Sequence, residues 1–142
     1  MRTESAKWTI VAIVIDASAL AEVVARSERA GQVEELFGGQ LLIAPDLINS
    51  EVLSVLRGWL ARSLIDLPSA ARAVRNLTTA PIRRFTTSSL IDEMWSTRHN
   101  LTPYDAAYVV LARRSDAALL TLDERLMRAP ALGIPLLTIA GH

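Results

Sequence analysis

Trp8-Thr9-Ile10-Val11-Ala12-Ile13-Val14-Ile15-Asp16 is a continuous apolar run, rich in β-branched residues, that stops on a carboxylate. A strand with one wet face alternates apolar and polar residues. An unbroken run of this kind is buried on both faces, as strands inside a parallel sheet are. Outward from it, segments of helical and extended pattern alternate to the end of the chain. Residues 18–25 and 28–37 read as helices, the second closed by Gly38 and Gly39. Residues 41–44 form a short apolar strand. Residues 45–62 form a helix opened by Pro45 and Asp46, with Ile48, Val52, Val55, Leu56, Trp59 and Leu60 at helical spacing. The pattern continues with a short helix at 68–76, a strand at 81–85 and a helix at 89–99. Pro103 then opens a very apolar helix at 104–113. A strand at 117–122, a short helix at 124–128 and a last strand at 135–139 complete it. Such alternation predicts an α/β fold: a central, mainly parallel sheet of four to five strands between two layers of helices. In sheets of this type ligands gather outside the carboxyl ends of the strands.

With 142 residues the chain fits a single domain spanning 1–142, long enough to bury a core without covalent staples. Its 51% apolar content excludes a disordered chain and suggests that some apolar surface is meant for a partner. The absence of cysteine removes disulfides, thiolate metal sites and cysteine nucleophiles. The apolar run ending at Asp16 is too short for a membrane span and is not followed by a signal-peptide cleavage pattern, so a cytoplasmic protein is expected. Fifteen basic residues balance fifteen acidic ones, so the molecule as a whole offers nucleic acid no steering field. Lys7 is the one lysine, and arginine is the better bidentate ligand for phosphate. A local basic patch therefore stays open, with Arg72, Arg75, Arg83 and Arg84 as candidates for phosphate contact. A solvated charged face is the simpler reading of those four. Trp59 and Trp95 fall on apolar faces, where core or dimer contacts are expected rather than base stacking.

Four acids occupy special places. Asp16 follows the first buried strand and Asp123 follows the strand at 117–122. Asp105 lies in the first turn of an otherwise apolar helix, and Glu51 borders the apolar stripe of the long helix. Each has a plain structural explanation. Asp16 and Asp123 are placed to cap the helices that follow them, Asp105 to complement a helix dipole, and Glu51 to reach solvent. Together they are placed to form one cluster at the strand ends. Two carboxylates about 5 Å apart repel by roughly 3 kcal/mol at an effective dielectric near 20. A cluster of four in a fold stable by about 5–15 kcal/mol needs protonation or a bound cation. Oxygen donors without sulfur or well-spaced histidine select magnesium or manganese. Neither His99 nor His142 has ligand spacing. Magnesium on carboxylates commonly serves phosphate chemistry.

The same residues carry a family likeness. The segments 13–20 (IVIDASAL), 44–52 (APDLINSEV), 101–108 (LTPYDAAY) and 120–126 (LTLDERL) resemble, in order and spacing, the motifs of PIN domains. The chain is similar in its compactness to VapC-type toxins of bacterial type II toxin–antitoxin systems. The resemblance implies a flap-endonuclease-like sheet and a Mg²⁺- or Mn²⁺-dependent endoribonuclease. It also implies a homodimer neutralised by a small VapB-type antitoxin. Carried onto this sequence, Asp16, Glu51, Asp105 and Asp123 are the catalytic, metal-holding acids, with Ser18 and Thr121 as polar residues that orient them. Residues 1–7 extend beyond the usual start, and residues 63–87 match nothing in the motifs.

Two other readings remain at this point. A phospho-acceptor domain or related phosphatase also places an Asp after the first strand, yet needs a late lysine, whereas Lys7 precedes that strand. The phosphatase would also need an acid where Ser18 stands. The other reading is a PIN-fold binding module without catalysis, although all four acids are in place.

Overall fold

The computed structural model describes residues 12–129 and 132–139. Residues 8–11 of the first expected strand, the extension 1–7 and His142 lie outside the described residues. The element order is β1 (Ala12–Ile15), α1 (Ala17–Val24), α2 (Ala30–Phe37), β2 (Leu41–Pro45), α3 (Ile48–Ala61) and α4 (Leu67–Thr79), then β3 (Ile82–Phe85). A single 3₁₀ turn (Ser88–Leu90) leads into α5 (Ile91–Ser96). It is followed by α6 (Pro103–Arg114), β4 (Ala118–Leu120), α7 (Glu124–Met127) and β5 (Leu136–Leu137).

The five strands form one sheet in the order β3-β2-β1-β4-β5, and every pairing is parallel. The expected class and strand number are thus observed. β1 lies at the centre with Ile13, Val14 and Ile15 all buried, as its unbroken apolar run requires. Right-handed crossovers fix the layers. The chain moves outward from β1 to β2 to β3, so α1 to α4 cover one face. It then returns across β1 to β4 and β5, so α5 to α7 cover the other. Helix α6 packs directly on β1, β2 and β4. Ala106 through Ala112 are all buried, which explains its apolar sequence on every side.

Element ends differ from expectation for local reasons. Pro45 does not open the long helix: it pairs with Phe85 as the last residue of β2, where its missing N–H is harmless. Helix α3 therefore starts only at Ile48. Asp66 caps α4, which starts one residue earlier than expected, accepting from the Ser69 amide at 2.8 Å. Gly38, at φ +52°, ends α2 in a backbone conformation that a side chain would strain.

This topology places the site. Connections leave β1 and β4 in opposite directions, so a crevice opens between their carboxyl ends. The Asp16 amide still donates to Leu120 O at 3.0 Å, and the Thr121 amide to Leu137 O at 3.1 Å. Crossover helices run antiparallel to the strands, so the first turns of α3 and α6 meet the same edge. Strand ends and helix starts thereby deliver all four acids to one side of the molecule.

Candidate active site

Asp16 forms the floor of the crevice and is 6% exposed. One carboxylate oxygen accepts from the Ser18 hydroxyl at 2.6 Å and the Ala19 amide at 3.1 Å. The other accepts from the Thr121 hydroxyl. The capping role expected of Asp16 is real, and it coexists with a position inside the pocket. Ser18 also accepts the Leu122 amide at 2.9 Å, and Thr121 accepts the Asp123 amide at 3.0 Å. These two hydroxyls, from elements far apart in sequence, clamp one carboxylate and tie β4 to the start of α1. Burial nevertheless pushes the Asp16 carboxyl up to about 6, against the pull of its hydrogen bonds and with a contribution from the charge of Asp123.

Glu51 enters from the first turn of α3 and Asp105 from the first turn of α6. The Tyr108 hydroxyl donates to Glu51 Oε1 at 2.6 Å. Among the described residues no hydrogen bond is made to Oε2. Burial raises the Glu51 carboxyl, the phenol lowers it, and nearby Asp105 raises it. Tyr108 is itself held protonated, chiefly by burial and then by its bond to Glu51. Asp123 caps α7, its Oδ1 accepting from the Arg125 amide at 2.9 Å and, at 3.4 Å, from the Leu126 amide. The Arg125 guanidinium then bridges two acids, with Nη1 at 2.7 Å from Asp105 Oδ2 and Nη2 at 3.1 Å from Asp123 Oδ2.

Asp16, Ser18, Glu51, Asp105, Tyr108, Asp123 and Arg125 all line one open pocket of about 290 Å³. Larger hollows exist. One of about 460 Å³ beneath the far end of α1 is lined by Arg26, Arg72 and Arg75 with no carboxylate, so size does not locate the chemistry. As the side chains are posed, no group of three Asp, Glu or His residues among those described grips a single point as metal ligands do. The donor set still fits a hard divalent ion in kind and charge: four carboxylates, no sulfur, no imidazole, in one crevice. The Arg125 guanidinium lies between Asp105 and Asp123.

Several sequence expectations are corrected or sharpened. Arg84 is half-buried and is not the solvated charge expected. Its guanidinium donates to Asn49 Oδ1 at 2.7 Å and to the carbonyls of Leu77 and Ile82 at 3.0 and 3.2 Å. Arg83 lies over the Phe85 ring, and Arg72 bonds Ser69. Trp95 is 66% exposed with Arg98 stacked on it, so it is no part of the core, whereas Trp59 packs against it. Glu93 pairs with Arg114, and neither it, Asp92 nor Asp116 lines the pocket. Exposed His99 is equally remote. Tyr108 and Arg125 were not singled out from sequence, although each stands three or two residues after a chosen acid, Asp105 and Asp123 respectively.

Comparison with known proteins agrees with this geometry. The family model of the PIN domain matches residues 13–132. Ribonuclease VapC9 of Mycobacterium tuberculosis is 34% identical over 114 residues, 80% of this chain and 87% of that protein. Ribonuclease VapC3 of the same organism is 36% identical over 118 residues, 82% of this chain and 86% of its own length. The crystal structure of M. tuberculosis VapC20, a sarcin–ricin-loop-cleaving toxin, superposes with a TM-score of 0.58 at 18% identity, covering 81% of this chain and 92% of that one. VapBC2 from Rickettsia felis, bound to a DNA fragment of its promoter, gives 0.59 at 11% identity, over 91% and 99%. These structures share the fold. With a family match over most of its length and an acidic crevice at the switch point of its sheet, the chain belongs to the PIN-domain family.

Proposed function

We propose that the chain is a divalent-metal-dependent endoribonuclease that hydrolyses RNA phosphodiester bonds, and that it serves as a VapC-type toxin. The observation that carries this reading is the meeting of Asp16, Glu51, Asp105 and Asp123 in one pocket of a PIN-family fold. Relatives of similar length bear the name ribonuclease. In this reading the four carboxylates hold Mg²⁺ or Mn²⁺, which when bound supplies the positive charge that activates water and offsets charge developing on phosphorus.

The chain's own residues do the positioning. Ser18 and Thr121 fix both oxygens of Asp16, so the floor carboxylate has one orientation. Tyr108 occupies Glu51 Oε1 and leaves Oε2 directed to the pocket's occupant or to water. No histidine is needed as general acid or base, and no side chain forms a covalent bond to the substrate. Products should carry 5′-phosphate and 3′-hydroxyl ends. The VapBC2 neighbour supports a VapB-type antitoxin as partner, and a homodimer is part of the same proposal. The exposed Leu53 and Leu60 of α3, Leu64 in the connection after it and Leu67 of α4 offer apolar surface for such contacts. Among the described residues no helix is long and apolar enough to cross a membrane.

The test is incubation of total cellular RNA with the purified chain, once with Mg²⁺ and once with chelator. Discrete cleavage that stops in chelator supports the reading. Cleavage that continues in chelator removes the metal. No cleavage of any RNA under either condition favours the inert binding module. The phospho-acceptor reading has no support, because the Ser18 hydroxyl, where the phosphatase needs an acid, is committed to Asp16 and Leu122.

A further inference from the structure

We propose that Arg125 is the pocket's resident cation, which a divalent ion must displace from Asp105 and Asp123 before it binds. The inference rests on the metal-dependent reading above and adds to it a competitor inside the chain.

Three observations carry it. First, a single guanidinium spans two acids from different elements, one in the first turn of α6 and one just after β4. Second, both oxygens of Asp123 are already hydrogen-bonded, and one of them by Arg125. Oδ1 is held by the Arg125 and Leu126 amides at the start of α7, and Oδ2 by Arg125 Nη2. An ion that takes Asp123 Oδ2 therefore meets the guanidinium's positive charge on the same oxygen. Third, the Arg125 side chain is 62% exposed and is held by its head alone. Among the described residues its guanidinium bonds Asp105 and Asp123 alone, so it swings into water without stranding a buried donor. Among the described residues Arg125 is also the one basic residue lining the pocket, while Arg128, just past α7, pairs with Glu124 at 3.7 Å.

The chemistry follows from charge. The crevice collects acids that repel one another, and Arg125 offsets part of that repulsion in the absence of an ion. The guanidinium and a divalent ion then compete for the same oxygens, so each weakens the other's hold. Without the guanidinium, the metal-free fold carries more repulsion and the ion meets an open site.

Calorimetric titration of Mn²⁺ into the full chain tests this, comparing wild type, Arg125→Met, Arg128→Met and Asp16→Asn, with thermal melts of each in chelator and in saturating Mn²⁺. Arg125→Met should bind Mn²⁺ about tenfold more tightly than wild type. It should also melt lower in chelator and gain more from the ion. Arg128→Met should match wild type, and Asp16→Asn should lose the binding event, which locates it. If Arg125→Met binds with unchanged or weaker affinity while Asp16→Asn abolishes binding, the competitor role is wrong and the metal site stands. If neither wild type nor Arg125→Met binds Mn²⁺, the metal reading fails and the proposal with it.

Discussion

The floor and the rim of the acidic pocket solve the same electrostatic problem in opposite ways. At the floor, Asp16 is buried and surrounded by neutral donors: two hydroxyls and a backbone amide. Its charge is tolerated poorly, and its carboxyl is held up at about 6. At the rim, Asp105 and Asp123 remain partly in water and face a full positive charge on Arg125. The difference separates geometry from charge. Dipoles that cannot leave fix a carboxylate's direction, whereas a mobile countercharge offsets repulsion until something stronger arrives. In this account the floor orients and the rim regulates entry.

The hardest blow to this division is removal of the floor charge. Asp16→Asn keeps the shape, and Thr121 can rotate to serve the new amide. RNA cleavage in Mg²⁺ should nonetheless fall by about 10³-fold or more, the weight of several kcal/mol of charge stabilisation. Rate measurements under single-turnover conditions check it. A loss below tenfold would mean that the floor acid does not hold the ion.

Next comes the clamp on that acid. Thr121→Val removes one hydroxyl from Asp16 and leaves the Asp123 amide without its acceptor. Activity should drop about 10- to 100-fold, with Mn²⁺ affinity falling in step. Unchanged metal affinity would reduce Thr121 to a loop tie. Tyr108→Phe should cost least, about three- to tenfold, because Glu51 keeps its place on α3 and loses a single hydrogen bond.

Stability in chelator sharpens the comparison by pH. Asp16 ionises near 3.8 in the unfolded chain and near 6 in the fold. The folded state therefore holds a proton that the unfolded state has released. Stability from this group is greatest below pH 4, declines between about pH 4 and 6, and then levels off. The loss amounts to about 3 kcal/mol at most. Glu51, also raised, adds in the same direction. Denaturant melts from pH 4 to 7 in chelator should show this decline. Asp16→Asn should flatten most of it and leave the variant more stable than wild type at pH 7. A wild-type protein that grows more stable across that range would contradict the burial of an ionisable floor.

Much of this arrangement was legible from residue order. The unbroken run into Asp16 located the central strand, and the apolar helix from Pro103 located Asp105, because burial on both sides leaves few polar positions. Pro45 misled, since a proline next to an acid reads as a helix start, while parallel pairing with Phe85 keeps it in the sheet. Arg84 misled for a related reason: a pair of arginines looks like a wet face, and only the fold shows carbonyls of Leu77 and Ile82 awaiting a donor. Tyr108 and Arg125 stood within recognised motifs, but their roles depend on side-chain direction across separate elements. Periodicity carries no such information.

End-group analysis of RNA cleaved by wild type and by Asp16→Asn in Mg²⁺ tests the central claim most directly. The account predicts new 5′-phosphate and 3′-hydroxyl ends from the wild type and no new ends from the variant. Products ending in 2′,3′-cyclic phosphate, or cleavage by Asp16→Asn at the wild-type rate, would contradict it.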